Sequence, residues 1–181
     1  MRATYGGLLA LLAGGLMLGC ATAPTTAAGK RDIVTDAYNA LAAMQTDDPT
    51  LSPRVKSSYA YAVFPKVGQG GLVVGGEYGR GAVFRNGELI GYASLKSGSV
   101  GLTAGGQSFD ELLLFQDKAA LDQLINQGLS FTSQAEATAL QAGAGAQATF
   151  RNGIAVFIKP LGGLIANLSI GGQSISFVPA H

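Results

Sequence analysis

The chain has 181 residues, with twelve basic, eleven acidic and one histidine side chain and a net charge of +1. That balance offers no long-range attraction for nucleic acid, and a sole histidine at the last position, His181, supplies no Ser-His-Asp triad or multi-histidine metal site. The 27 glycines are about twice the usual share, as expected where a backbone bends sharply or is approached closely.

The opening "MRATYGGLLALLAGGLMLGC" places Arg2 before an apolar run from about Leu8 to Leu18. That run is too short to cross a bilayer as a helix and suits the apolar region of a secretory signal, predicted over residues 1–19. Met17-Leu18-Gly19 before Cys20 fits the bacterial lipoprotein pattern, in which the cysteine is acylated and becomes the new N-terminus. Cys20 is the only cysteine of the chain, so it has no internal disulfide partner, and acylation gives it a role. Several acyl chains on one residue make attachment nearly permanent. Ala21, where an aspartate would favour the inner membrane, directs the expectation to the periplasmic face of the outer membrane. Residues 20–30, small and proline-containing, read as a tether, leaving residues 31–181 as one domain.

Within the domain, Ile33, Val34, Ala37, Tyr38, Leu41 and Met44 recur at helical spacing and predict an amphipathic helix over residues 32 to about 43. Ser52-Pro53 reads as a cap and first position of a short second helix ending at Lys56 or Ser57. Strand-like sequence follows in "AYAVF" and "GLVVGGEY". In "RGAVFRNGELIGYASL" the Asn86-Gly87 pair predicts a two-residue hairpin, with Arg85 and Glu88 facing each other across it. "SVGLTAGG" and "DELLLF" continue the strands. Asp117 caps a helix, "KAALDQLINQ", with Leu121, Leu124 and Ile125 on its buried side and Gly128 ending it. The final thirty residues are again strand-like.

An internal echo runs through the second half. "FRNG" at Phe84 returns at Phe150 and "GGQS" at Gly105 returns at Gly171, both offset by 66, and two ungapped windows of 25 residues share ten. The pattern is that of two similar antiparallel β units. The fold class expected is α+β: a strongly curved antiparallel sheet or partial barrel, with two N-terminal helices and one inserted helix.

The glycine run of residues 64–81, "FPKVGQGGLVVGGEYGRG", lacks a dinucleotide fingerprint, because Val73 and Phe84 stand where the third glycine would be. No glycine precedes the Lys-Ser or Lys-Thr of a P-loop. The carboxylate pairs Asp47-Asp48 and Asp110-Glu111 read as solvated, the second pair on opposite faces of a strand. Glu77, among glycines beside Tyr78, is the one carboxylate worth testing for catalysis, although a strand-end pairing with Arg80 suits it better. No catalytic residue, metal or cofactor is expected.

The segments "YAVFPKVGQGGLVVGGEYGRGAVF", "GYASLKSGSVGLTAGGQS", "LLLFQDKAALDQL" and "GGLIANLSIGGQS" resemble, in order, the SYLF-domain family, whose eukaryotic members include a yeast actin-patch protein. The resemblance runs from about Val55 to Gln173 and implies a non-enzymatic domain that binds membrane lipid. For a bacterial envelope it implies anionic phospholipid or another amphiphile, in place of the phosphoinositides and actin of eukaryotic members. The residues offer two cationic groups for such a surface: Arg54, Lys56 and Lys66 around the second helix and first strand, and Arg80, Arg85 and Lys96 on the hairpin. Alternation places Lys96 on the face of Tyr92 and Ser94. The competing expectation is a structural module that docks an envelope protein partner and has no lipid beyond its anchor.

Overall fold

The computed structural model describes residues 26–70, 74–100, 107–131, 138–139, 141–147, 149–161 and 172–181. The predicted leader and Cys20 lie outside the described residues. In chain order the elements are α1 (Ala27–Asp47), α2 (Leu51–Ser57), β1 (Ala60–Gly70), β2 (Val74–Arg85), β3 (Glu88–Val100), β4 (Gln107–Phe115), α3 (Lys118–Gln127), β5 (Leu129–Phe131), β6 (Thr138–Ala139), α4 (Ala144–Gln147), β7 (Ile154–Pro160) and β8 (Gln173–Pro179).

The strands form one sheet in the order β5-β8-β3-β2-β1-β4-β7-β6. Seven are antiparallel and curl into a half-barrel, and β6 adds a short parallel edge. The α+β class and the strong curvature are therefore as expected. α1 starts five residues before the predicted position, because the Thr26 hydroxyl accepts the Gly29 N–H (3.1 Å) and the alanines after it favour a helix. It thus takes up the last four residues assigned to the tether. α2 begins at Leu51, which puts Pro53 inside the first turn, where an N–H would lack a helical partner anyway. α3 has the predicted Asp117 cap, accepting from Ala120 N–H at 2.9 Å, and the predicted stop at Gly128 (φ 72°). Ile125, however, is 38% exposed and not part of its buried side.

Each face of the sheet carries its own core. The concave face holds Phe64, Val67, Val83, Leu95, Phe109, Leu113, Phe115, Val156 and Ile175, closed by Leu121 and Leu124 of α3. The outer face holds Val63, Ala82, Phe84, Tyr92, Leu112, Leu114 and Phe157 under Ile33, Ala37, Leu41 and Met44 of α1 and Leu51 and Val55 of α2. Both clusters are built from residues after Thr26. Phe64 and Val67 face the same core although three residues apart, which alternation alone forbids. β1 carries one surplus residue relative to both neighbours: Val63 pairs with Ala82 and Gly68 with Tyr78 on β2, while Phe64 pairs with Glu111 and Val67 with Phe109 on β4. The bulge at Pro65-Lys66 resets the alternation and is where a central strand tolerates proline.

The glycines of the opposing strand make room for this bulge. A Cβ on Gly81 would lie 2.5 Å from the Val63 carbonyl oxygen and 2.7 Å from the Phe64 ring, and one on Gly79 would lie 2.8 Å from Val67. Gly68, by contrast, has nothing within 4 Å of where a Cβ would stand.

The echo is real in geometry but not as two hairpin units. Asn86-Gly87 (φ 53° and 81°) and Asn152-Gly153 (φ 51° and 76°) adopt the same left-handed turn, as the repeated "FRNG" requires. β4 and β8 each open on the repeated Gln-Ser. Yet β3 pairs with β8, and β4 with β7, so strands of one copy pair with those of the other. The local pattern specified the turns, whereas partner choice was settled by closure of the curved sheet.

Asp48, expected to be solvated, is fully buried. Its carboxylate accepts from Thr50 N–H (3.0 Å), the Thr50 hydroxyl (2.6 Å), Gly143 N–H (3.1 Å) and Gly145 N–H (2.6 Å), pinning the segment around α4 to the α1–α2 junction. Burial works to raise its pKa, but the Thr50 hydroxyl and the three backbone N–H groups together hold it below the ordinary 3.8.

Two outcomes follow for stability. Gly81→Ala should destabilise the fold by about 1–3 kcal/mol through overpacking, while Gly68→Ala should be neutral or slightly stabilising, measured by urea denaturation. Asp48→Asn turns an N–H₂ toward one of the backbone donors and should cost about 2 kcal/mol at neutral pH. Because the folded pKa is depressed, the Asp48 contribution is complete above pH 3.8 and lost as pH falls through the lower folded value. The stability gap between wild type and Asp48→Asn should therefore narrow in acid.

Candidate functional site

The bulge projects Lys66 from the outer face of the sheet beside α1. With Ile33 and Asp36 of α1, Pro65, and Tyr78, Gly79 and Arg80 of β2, it lines a surface cavity of about 350 Å³. Register places the neighbouring groups. Tyr78 is directly opposite Lys96 and Arg80 is opposite Ser94, so Tyr78, Arg80, Ser94 and Lys96 share the outer face with Tyr92, as alternation from Lys96 implied. Tyr78 is 55% exposed, the largest exposure among the big apolar side chains described. Further along the same face Lys30 of α1 sits 5.3 Å above the Tyr92 ring.

Lys66 Nζ is 3.8 Å from Asp36 Oδ2, with both side chains largely in solvent, a pairing worth little against screening. The Lys66 ammonium is thus available to another anion at small cost. Below it lies Asp110, 5% exposed, whose Oδ1 accepts the Lys66 backbone N–H at 3.0 Å. Burial raises the Asp110 pKa above the ordinary 3.8, and the Asp36 charge adds to the rise. The Lys66 N–H and the Lys159 and Lys66 charges oppose it. Lys159, opposite Asp110 in register, reaches Asp47 at 2.7 Å.

The other predicted cations stand apart from this cavity. Arg54 donates to the Ala146 carbonyl (2.9 Å) beside α4. Lys56 lines a separate hollow of about 340 Å³ with Val55, Ser58, Tyr61, Asn86 and Gly87. Arg85 is opposite Glu88 at the hairpin end, where Lys118 of α3 feels its charge. So Lys66 and Arg80 share one cavity with Lys96 on the same face, while Arg54, Lys56 and Arg85 do not join them. Glu77 is paired through its backbone with Gln69 and Ser97, and its side chain lies outside the described residues.

Asp110 and Glu111 occupy opposite faces, as expected, but neither is solvated. Glu111 points into the concave core, fully buried, where its Oε2 accepts from Gln173 Nε2 at 3.1 Å. Gln173 is directly opposite Ser97, itself buried. This polar group was legible in part: strict alternation through "DELLLF" puts Glu111 with Leu113 and Phe115, but nothing local says that both faces are covered. Among the described residues no three His, Cys, Asp or Glu side chains are placed to hold a metal ion, and no helix is long and apolar enough to cross a membrane.

The fold and site together define an α+β half-barrel with a cationic, tyrosine-flanked cavity at the rim of its outer helix. The chain is similar to Beta cell expansion factor A of Aeromonas veronii, at 28% identity over 153 residues. These residues cover 83% of this chain and 58% of that protein, so the chain spans less than two thirds of the relative's length. No family model matches the chain.

Because the folded pKa of Asp110 is raised, its ionised form costs stability above that pKa. The cost is relieved as pH falls through the folded value toward 3.8. Asp110→Asn should therefore be near neutral or stabilising at pH 7, and wild type should gain on it in mild acid, read from denaturation midpoints across pH.

Proposed function

We propose that the chain is a non-enzymatic, lipid-anchored protein of the bacterial envelope, of the SYLF-domain kind, whose half-barrel binds anionic phospholipid or another anionic amphiphile on its outer face. The observation that carries this reading is the grouping of Lys66 and Arg80 around one cavity, with exposed Tyr78 between Arg80 and Lys96. An oxyanion fits ammonium and guanidinium donors, and a tyrosine ring suits the boundary between headgroup and acyl chain. Each cation contributes about 1 kcal/mol at an anionic surface, less at high salt. The order of sequence segments and the similarity to a bacterial relative support the same reading. Attachment through acylated Cys20, on the periplasmic side of the outer membrane, would hold this face next to its ligand.

Residues 26–181 should float with anionic but not zwitterionic liposomes and release at high salt. The Lys66→Glu, Arg80→Glu double variant should lose binding at least about tenfold. Flotation no better than background across a headgroup panel would remove the reading, and retention of one envelope protein without any lipid response would favour a docking module. In cells, Cys20→Ser should move the full chain from the membrane to the soluble fraction and abolish the acyl mass.

A further inference from the structure

Three described residues other than glycine have positive φ: Asn86, Asn152 and Lys66, the last at 51°. Asparagine tolerates this region and sits in tight turns here, whereas lysine does not favour it and sits in the middle of a central strand. The bulge therefore requires a restraint. Pro65 has no N–H, and the Lys66 N–H is directed onto an oxygen of the Asp110 side chain (3.0 Å), an acceptor in a buried setting. Every element packed around Asp110 contributes a charged group: Lys66 from β1, Asp36 from α1, and Lys159 from β7, the last paired with Asp47 at the end of α1.

We infer that Asp110 is a positioning residue for Lys66: by holding the bulge through its N–H it fixes the ammonium at the rim shared with Arg80, forming one clamp for a phosphate-type oxyanion. The inference rests on the proposed lipid-facing function and adds a residue that itself touches no ligand. It also accounts for a buried aspartate that the packing of α1 does not call for, since Leu112 and Leu114 on the same face are apolar. The ligand chemistry is that of a phosphate oxyanion, whether on a lipid headgroup or free.

The test uses the full chain with Asp110→Leu, Asp110→Asn, Lys66→Gln and the Asp110→Leu, Lys66→Gln double variant. Hydrogen exchange at the Lys66 amide reports the bulge, and titration with dihexanoyl phosphatidylglycerol below its micelle concentration, with inorganic phosphate as a second arm, reports the clamp. Asp110→Leu should raise Lys66 exchange about tenfold or more and lower affinity about fivefold, matching Lys66→Gln, with no further loss in the double variant. Asp110→Asn keeps an oxygen acceptor and should retain protection and affinity, which a merely structural role for the carboxylate charge would not predict. Unchanged exchange in Asp110→Leu would overturn the positioning role alone. Intact exchange effects with no loss of affinity in either Lys66→Gln or Asp110→Leu would remove the lipid reading at this cavity and the clamp with it. Binding of the lipid but not of phosphate assigns the clamp to a headgroup, and equal binding of both assigns it to the free oxyanion; either supports the clamp.

Discussion

β1 lies near the middle of the sheet and is buried on both faces, so the surplus residue between Val63 and Gly68 governs what can pack around it. Without it, Val67 would swing away from the concave core that Phe64 enters, and the strand could not feed one interior along its whole length. The surplus residue bends the strand locally, and Gly79 and Gly81 on β2 remove the side chains that would otherwise meet it. The same bend thrusts Lys66 outward beside α1. The close approach at Gly79 and Gly81 and the placement of one surface cation thus follow from this insertion in the ladder, while a second register shift, between Val83 and Phe84, interrupts the β2–β3 pairing.

The cross-pairing of the echoed segments explains how such a sheet closes. Order β8-β3-β2-β1-β4-β7 places β2 and β1 at the centre, with the two copies' strands interleaved on either side. The Asn86-Gly87 turn joins β2 to β3 as a hairpin, and β3 finds its second partner, β8, far away in sequence, while the Asn152-Gly153 turn launches β7 onto the remote β4. The Glu111–Gln173 hydrogen bond then joins β4 to β8 across the concave face, although three strands separate them in the sheet. A polar pair placed there costs desolvation but favours one register, because neither group has water to fall back on.

Local chemistry was the legible part. Asn86-Gly87, Asp117, Gly128 and the period of Ile33, Ala37, Leu41 and Met44 each announce their element, since turns, caps and amphipathic helices depend on residues within a few positions. Curvature was legible from glycine content. Burial of Asp48, Asp110 and Glu111 was not, because it depends on which remote segment covers them: the chain around Gly143 and Gly145 for the first, α1 with β7 for the second, the curl itself for the third. Among the cations, Lys96 could be assigned to its face by counting from Tyr92. Lys66 could not, because the bulge breaks the count; Pro65 in a central strand is the signal that the count should have been broken there.

The packing also restricts how an amphiphile, if one binds as proposed, would meet this domain. Among the described residues the concave side is filled by Phe64, Phe109, Phe115, Leu95 and Leu113, each at most 1% exposed, and is crossed by the Glu111–Gln173 bond. Among the described residues this interior is a packed core, unlike barrels whose lumen holds a ligand. An acyl chain would have to displace close-packed aromatic rings and a buried hydrogen bond to enter, a cost set against its transfer energy. Contact through a headgroup requires none of this. The outer face has Lys66 and Arg80 exposed, Lys66 in a weak exposed pair with Asp36 and near the Asp110 charge, so a headgroup there would exchange with one exposed carboxylate.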